Sequence, residues 1–519
     1  MGRLAALGGA LRRSLRPCIA LAHRTQSTHG HAVVSSKRVL VIGLDCAAPQ
    51  FVFDRWLPEL PTIRSLTERG SFGVLRSCDP PITVPAWSVM TSSRSPGSLG
   101  FYGFRNRKDH SYDQLVFADS RAVKVPRVWD ILSARQRDVI VLGVPQTYPP
   151  SRVNGAMVSC FLTPDTRTSR YTYPPELKDE IEQVVGHYLV DVENFRSEEK
   201  DRLLDQIEEM TEKRFRLAEH LLETRPWDLF FMVEMGTDRI HHAFWRFTDS
   251  EHRLFEPGNP YEHAMLDYYK RLDSKIASLL RFADDETAVL VVSDHGAKRM
   301  DGGICVNEWL RREGYLVLRE EPTEPTRLTP DLIDWSRTVA WGEGGYYCRL
   351  FLNVEGREPE GIVPAADYER VRDELKEKLE ALGDDQGRPI GTVAHTPEEL
   401  YAEARGIAPD LLVYFGDLYW RSVGLVGTGT VHVFENDTGP DDANHAHEGM
   451  YLLVADGVPA GRGPERALHD VAPTLLELLG EPVPGEMEGQ SLLRRDAPDG
   501  PEPSASRDDS VTDTQAVPR

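Results

Sequence analysis

The stretch KRVLVIGLD, residues 37–45, decides how the chain is read. Two cations open it, aliphatic residues fill it, and it closes on Asp45, the first acidic residue in the sequence. A run this short and this uniformly apolar suits a strand covered on both faces, as in a parallel sheet. The same signature recurs in DVIVLGVP (138–145), WDLFFMVEMG (227–236), TAVLVVSDHG (287–296), PDLLVYFG (409–416) and GMYLLVADG (449–457). Between these runs lie helical patterns at 200–225, 367–384 and 471–480; in the first, Leu203, Ile207, Met210 and Leu217 recur at near-helical spacing. Strands alternating with helices predict an α/β fold with a mostly parallel central sheet flanked by helices. Functional groups in such sheets gather in the crevice beyond the carboxyl ends of the strands.

Working outward from that core, residues 1–36 hold no acid, and Arg3, Arg12, Arg13, Arg16 and Arg24 interrupt every apolar run. This composition reads as a basic flexible leader, with an organelle transit peptide as the minor alternative. Residues 495–519 are rich in Pro, Ser and Asp and read as a disordered tail. The remaining 37–494 form one catalytic-sized domain, in which the loop-rich stretch of about 300–440 is expected to be an inserted cap. No apolar run approaches the roughly 20 residues of a membrane span. A formal net charge of −22 argues against a nucleic-acid polymer as partner but leaves room for a small phosphorylated substrate at a metal site. Six scattered cysteines without a CxxC pair point to reduced thiols and a cytoplasmic protein.

Three of the expected strands end in chemistry. Asp45 closes the first. Asp238 and His242 in MGTDRIHHAFW are four apart and share one helix face, whereas the adjacent His241 points about 100° away. Asp294 and His295 follow an apolar run and precede a glycine that permits a tight turn. NHAHEGMYLL adds His445 and His447, between which spacing does not choose. Each pair alone also suits a helix cap or a solvated histidine. Together, carboxylates and imidazoles form a mixture that binds Zn²⁺ or, less selectively, Mn²⁺. They suffice for two divalent ions, which at roughly 3.5–4 Å separation clamp the two oxygens of a displacement at phosphorus. Thr83, held between prolines in CDPPITVPAWSVMTSS (78–93) ahead of a helix start, then becomes a candidate nucleophile.

The ordered motifs VIGLD, PPITVPAW, GTDRIHH, VVSDHG and NHAHEG resemble the alkaline phosphatase superfamily. The chain is most similar to the type I phosphodiesterase/nucleotide pyrophosphatase branch, among predicted phosphohydrolases or phosphomutases, over about residues 38–494. The resemblance implies one metal on Asp45, Asp294 and His295 with Thr83 beside it, and a second on Asp238, His242 and His445. His445 is favoured over His447 because the family's ligand lies four residues before the glycine, here Gly449. It implies two divalent ions, Zn²⁺ in the first place with Mn²⁺ or Mg²⁺ as alternatives. It also implies hydrolysis of small phosphate esters or nucleotide diphosphate and diester bonds through a phosphothreonyl intermediate. A phosphomutase using the same intermediate is the alternative, and an inactive metal-binding scaffold a more distant one. Sulfatase chemistry needs a Cys or Ser nucleophile, which TVPAW lacks.

SSRSPGSLGFYGFRNR (92–107) departs from the family pattern. Ser93 and Leu99 replace a glycine and a histidine, and Phe104 falls where a phosphate-binding asparagine is expected. Arg105, Asn106 and Arg107 follow closely and are candidate donors to substrate, or else a basic loop paired with acidic surface. Lys298 and Arg299 are weaker candidates. The pattern leaves oligomeric state open.

Overall fold

The computed structural model describes residues 36–493. The expected leader, apart from Ser36, and the expected tail lie outside the described residues. Strand Arg38–Leu44 occupies the centre of a ten-stranded sheet. It pairs in parallel with Leu229–Glu234 on one side and Thr287–Val292 on the other. Val139–Leu142 and Gly155–Val158 extend the parallel set beyond Leu229–Glu234. These strands are almost wholly buried because helices cover both faces, which explains their unbroken aliphatic sequence. One helical group contains Lys200–Thr224, Gly236–Thr248 and Ala264–Leu280; another contains Thr83–Ser92, Val128–Ala134 and Val471–Leu478.

Two runs behave differently from the simplest reading. Glu448–Val454 joins the sheet beside Thr287–Val292 but runs antiparallel to it, and Ser71–Arg76 pairs antiparallel with its far edge. Leu411–Tyr414 leaves the central sheet altogether. It pairs antiparallel with Cys348–Leu352 and Val393–His395 in a separate four-stranded sheet completed by Ala340–Glu343. An apolar run reports burial, not which sheet provides it or in which direction the strand runs. This smaller sheet has its own hydrophobic cluster, in which Trp309, Trp335, Leu350, Leu375 and Val413 are buried together. Its face overhangs the ends of the parallel strands, and a cleft of about 840 Å³ lies between them.

Candidate active site

Register brings the site together. Leu44 pairs with Glu234 and Gly43 with Val292, so three adjacent strands end at one level. Asp45 follows the first directly. After the second, the chain turns into helix Gly236–Thr248, whose first two turns carry Asp238 and His242 on one face. After the third come Asp294 and His295, and strand Gly296–Arg299 then pairs antiparallel with Ala443–Ala446. In that register His445 lies opposite Ala297, beside the strand ends. Thr83 opens helix Thr83–Ser92, with Ile82 as the extended residue before it. The helix therefore begins two residues earlier than PAWSVM suggests.

Two sets of ligand atoms result. Nε2 of His295 lies 3.3 Å from Oδ2 of Asp294 and 3.9 Å from Oδ1 of Asp45. Nε2 of His242 lies 3.3 Å from Oδ1 of Asp238 and 3.3 Å from Nε2 of His445, which is itself 3.8 Å from Oδ1 of Asp238. Asp45, Asp294, His295 and Asp238, His242, His445 each gather three donor atoms closely enough for one ion. Thr83 Oγ1 is 3.3 Å from His295 Nε2, and Thr83 also lines the cleft.

The chemistry of these donors fits metal ions. Each histidine has an obligate acceptor at Nδ1: a Gly296 carbonyl at 3.1 Å for His295, Asp441 Oδ1 at 2.7 Å for His242, and a Pro81 carbonyl at 2.9 Å for His445. Nδ1–H must donate in all three, so each neutral ring presents its Nε2 lone pair to the site. Lone pairs of His242 and His445 thus face each other and the Asp238 carboxylate, an arrangement that repels itself unless a cation stands among them. Asp45 Oδ1 and Asp294 Oδ2 are buried without hydrogen-bond partners, although buried carboxylates ordinarily have them.

The proton affinities show the same unmet need for positive charge. Burial, aggravated by neighbouring carboxylates, pushes Asp45 and Asp294 well above the usual carboxylate range. Burial holds His295 down at about 4 and also lowers His445 well below the usual imidazole range. Burial opposes charge on His242 as well, but Asp441 and Asp238 overcome it and raise this ring to about 9. Burial would also raise Asp238, yet His242 and Arg239 hold it well below its ordinary value. Without metal, a proton on His242 supplies the positive charge that the second donor set requires.

Several supporting residues carry no strong sequence signal. Trp87 Nε1–H donates to Asp45 Oδ2 at 2.6 Å from one turn into the Thr83 helix. Cys46 adopts φ 65°, and its N–H donates to Asp294 Oδ1 at 3.2 Å. Asp441 orients His242 and receives Arg196 at 2.8 Å. Tyr346 stacks on both His242 and His445. Asp441 sits four residues before His445, which is its only local clue.

Other candidates are placed elsewhere. His447 Nε2 bonds Asp79 at 2.9 Å, and His241 Nε2 meets Tyr269 Oη at 3.1 Å, away from both sets. Arg105 lines the cleft. Asn106 does not: its side chain accepts from Tyr102 N–H and donates to the Gly103 carbonyl. Arg107 is buried against Glu358 at 3.1 Å and lies over the rings of Trp341 and Phe351. Both serve the fold of the loop. Lys298 pairs with Asp417, and Arg299 with Asp301 and Glu251. Ser93 takes φ 54° as the left-handed cap of the Thr83 helix, and its hydroxyl accepts from Gly489 N–H. A glycine would suit that conformation equally.

A sequence profile of the type I phosphodiesterase / nucleotide pyrophosphatase family matches residues 39–441. No curated protein matches the sequence. Among solved structures, phosphonoacetate hydrolase from Sinorhizobium meliloti 1021 in complex with phosphonoacetate aligns with TM-score 0.54 at 15% identity, covering 86% of this chain and 95% of that one. Human ectonucleotide pyrophosphatase / phosphodiesterase 5 aligns with TM-score 0.49 at 11% identity, covering 86% and 95%. The hydrolase likeness speaks for the fold: a mostly parallel sheet flanked by helices. The profile match spans most of the sequence and includes five of the six candidate metal ligands. The chain therefore belongs to the type I phosphodiesterase / nucleotide pyrophosphatase family of the alkaline phosphatase superfamily, and is a metal-dependent phosphoric ester hydrolase.

Proposed function

We propose that the protein hydrolyses small phosphate esters or nucleotide diphosphate and diester bonds, with Thr83 accepting the phosphorus before water releases it. The observation that carries this reading is the contact of Thr83 Oγ1 with His295 Nε2, where a hydroxyl that lines the cleft meets the first donor set. Asp45, Asp294 and His295 would hold one divalent ion and Asp238, His242 and His445 the other. When bound, such ions lower the pKa of a hydroxyl or a water and neutralise charge on phosphoryl oxygens. The mixed imidazole and carboxylate donors suit zinc best.

The chain's own residues prepare the reaction. Burial and the His295 contact fix the Thr83 hydroxyl at the cleft floor. The N–H groups of Thr83 and Val84 open the helix without an intrahelical acceptor, and Pro85 has none to satisfy. The helix therefore presents its positive end to an incoming anion. Trp87, Asp441 and the three carbonyl or carboxylate partners of the histidines hold the donors in orientation. Residues 37–494 act as one catalytic domain, and the smaller sheet within 300–440 acts as its cap.

The cap over the cleft also favours a second reading, a phosphomutase that returns the phosphoryl group to its substrate. Turnover in ¹⁸O water separates the two: label in the released phosphate or phosphate ester supports hydrolysis, and rearranged substrate without label supports mutase transfer. A reducing, cytoplasmic setting is consistent with five described cysteines that are free and buried. Among the described residues, no helix is long and apolar enough to cross a membrane.

A further inference from the structure

The arginines lining the cleft fall into two groups. Arg196, Arg239 and Arg421 are each bound to carboxylates: Asp441 for the first, Asp191 and Asp238 for the second, and Asp437 for the third. Arg105, Arg327 and Arg349 also line the cleft but pair with no carboxylate, and of these Arg105 and Arg349 are joined by a hydrogen bond. In a chain with 82 acidic and 60 basic residues, a partner was available to evolution at most positions. Glu343 lies directly across the strand pair from Arg349, yet the two form no ion pair.

These guanidinium groups are positioned rather than loose. Arg349 lies on Cys348–Leu352, where its neighbours Cys348 and Leu350 point into the cap's core and alternation sends Arg349 to the opposite face. Its Nη1 donates to the Arg105 carbonyl, which joins the two residues and leaves Nε and Nη2 of Arg349 without a protein acceptor. The Arg105 guanidinium rests over the Phe117 ring at 5.1 Å. A Cβ on Gly103 would stand 2.9 Å from Tyr347 Oη and 3.6 Å from Arg349 Nη1, so the glycine keeps the approach open. Ile82 and Phe104, which also line the cleft, contribute no side-chain donor. Free, forked donors fixed on a wall of a catalytic cleft match a second phosphate or a carboxylate.

We propose that Arg105 and Arg349 form a second-anion subsite, so that the substrate carries a phosphate or carboxylate beyond the phosphorus that Thr83 attacks. The proposal rests on the phosphohydrolase reading of the same cleft and names its substrate class. The test compares three ligands that share one phosphonate: methylphosphonate, phosphonoacetate and methylenediphosphonate. Their affinities are measured by calorimetry for the full-length, metal-loaded protein at fixed free metal. At least one of the two doubly anionic ligands should bind wild type about tenfold or more tightly than methylphosphonate, and the better one identifies carboxylate or phosphate as the second group. In Arg105→Ala/Arg349→Ala that advantage should fall to about twofold or less, and Arg349→Lys should restore part of it. An advantage absent from wild type, or intact in the double variant, overturns the subsite. Hydrolysis of bis(4-nitrophenyl) phosphate and of ATP, measured in parallel, judges the catalytic reading separately: a wild type inactive on both that keeps the binding pattern sinks hydrolysis and leaves the subsite standing.

Discussion

The floor and the roof of the cleft are built on opposite plans. The floor consists of parallel strand ends in which every reactive group is buried and held by a dedicated partner: Trp87 for Asp45, Asp441 for His242, backbone carbonyls for His295 and His445. The roof is a small antiparallel sheet whose cleft-facing groups, Arg349 and Glu343, lack ionic partners. A floor that leaves lone pairs and carboxylate oxygens unmatched is organised for cations. A roof that leaves guanidinium donors unmatched is organised for an anion. On the proposed reading the first serves catalysis and the second choice of substrate, so damage to each should register in different measurements.

The largest effect belongs to the floor. Thr83→Ala should lower turnover of a phosphodiester by about 10³-fold or more while leaving metal content unchanged. Parallel loss of metal would show that Thr83 is structural. Asp294→Ala, or removal of metal by a chelator, should abolish turnover and also cancel the thermal stabilisation expected of wild type with added zinc. That stabilisation is about 2.7 kcal/mol at a free ion concentration of 100 times Kd. Equal melting temperatures with and without zinc in wild type would break the contrast at its base.

Asp441→Asn tests the layer behind the ligands. Loss of the carboxylate that orients His242 should weaken metal binding by about 10–100-fold, read by competition with a chromogenic chelator. Proton release sharpens the same point. With His242 at about 9 in the metal-free site, the ring is charged at pH 7 and must lose its proton to bind an ion. Metal affinity should therefore rise with pH between 6 and 8, and calorimetry in buffers of different ionisation enthalpy should show net proton release. The smallest catalytic effect belongs to the roof. Glu358→Ala leaves buried Arg107 without its carboxylate and should cost about 3 kcal/mol in stability, read by denaturant unfolding, with metal affinity unaltered.

The same contrast governs what could be read from residues alone. Floor positions were legible because a strand buried on both faces has little choice of sequence: KRVLVIGL and TAVLVV both end where polar atoms first become permissible, and Asp45 and Asp294 mark those ends. The helical spacing of Asp238 and His242 needed no tertiary information. Residue spacing alone did not choose between His445 and His447; the family resemblance favoured His445, and the physical reason lies in the register with Gly296–Arg299 and in Asp79, which engages His447. Arg105, Asn106 and Arg107 illustrate the limit most clearly. Three consecutive donors look equivalent in sequence, yet one lines the cleft, one closes a loop and one is buried on Glu358. Leu411–Tyr414 was legible as a strand but not as a member of a separate sheet, since its apolar run would suit either core.

The most direct test is acid quench during steady turnover of a phosphodiester, followed by mass spectrometry of the digested protein. If Thr83 is the nucleophile, a phosphorus adduct is found on its peptide in wild type and is absent from Thr83→Ala. Steady turnover with no adduct, or an adduct on another residue, would contradict that role.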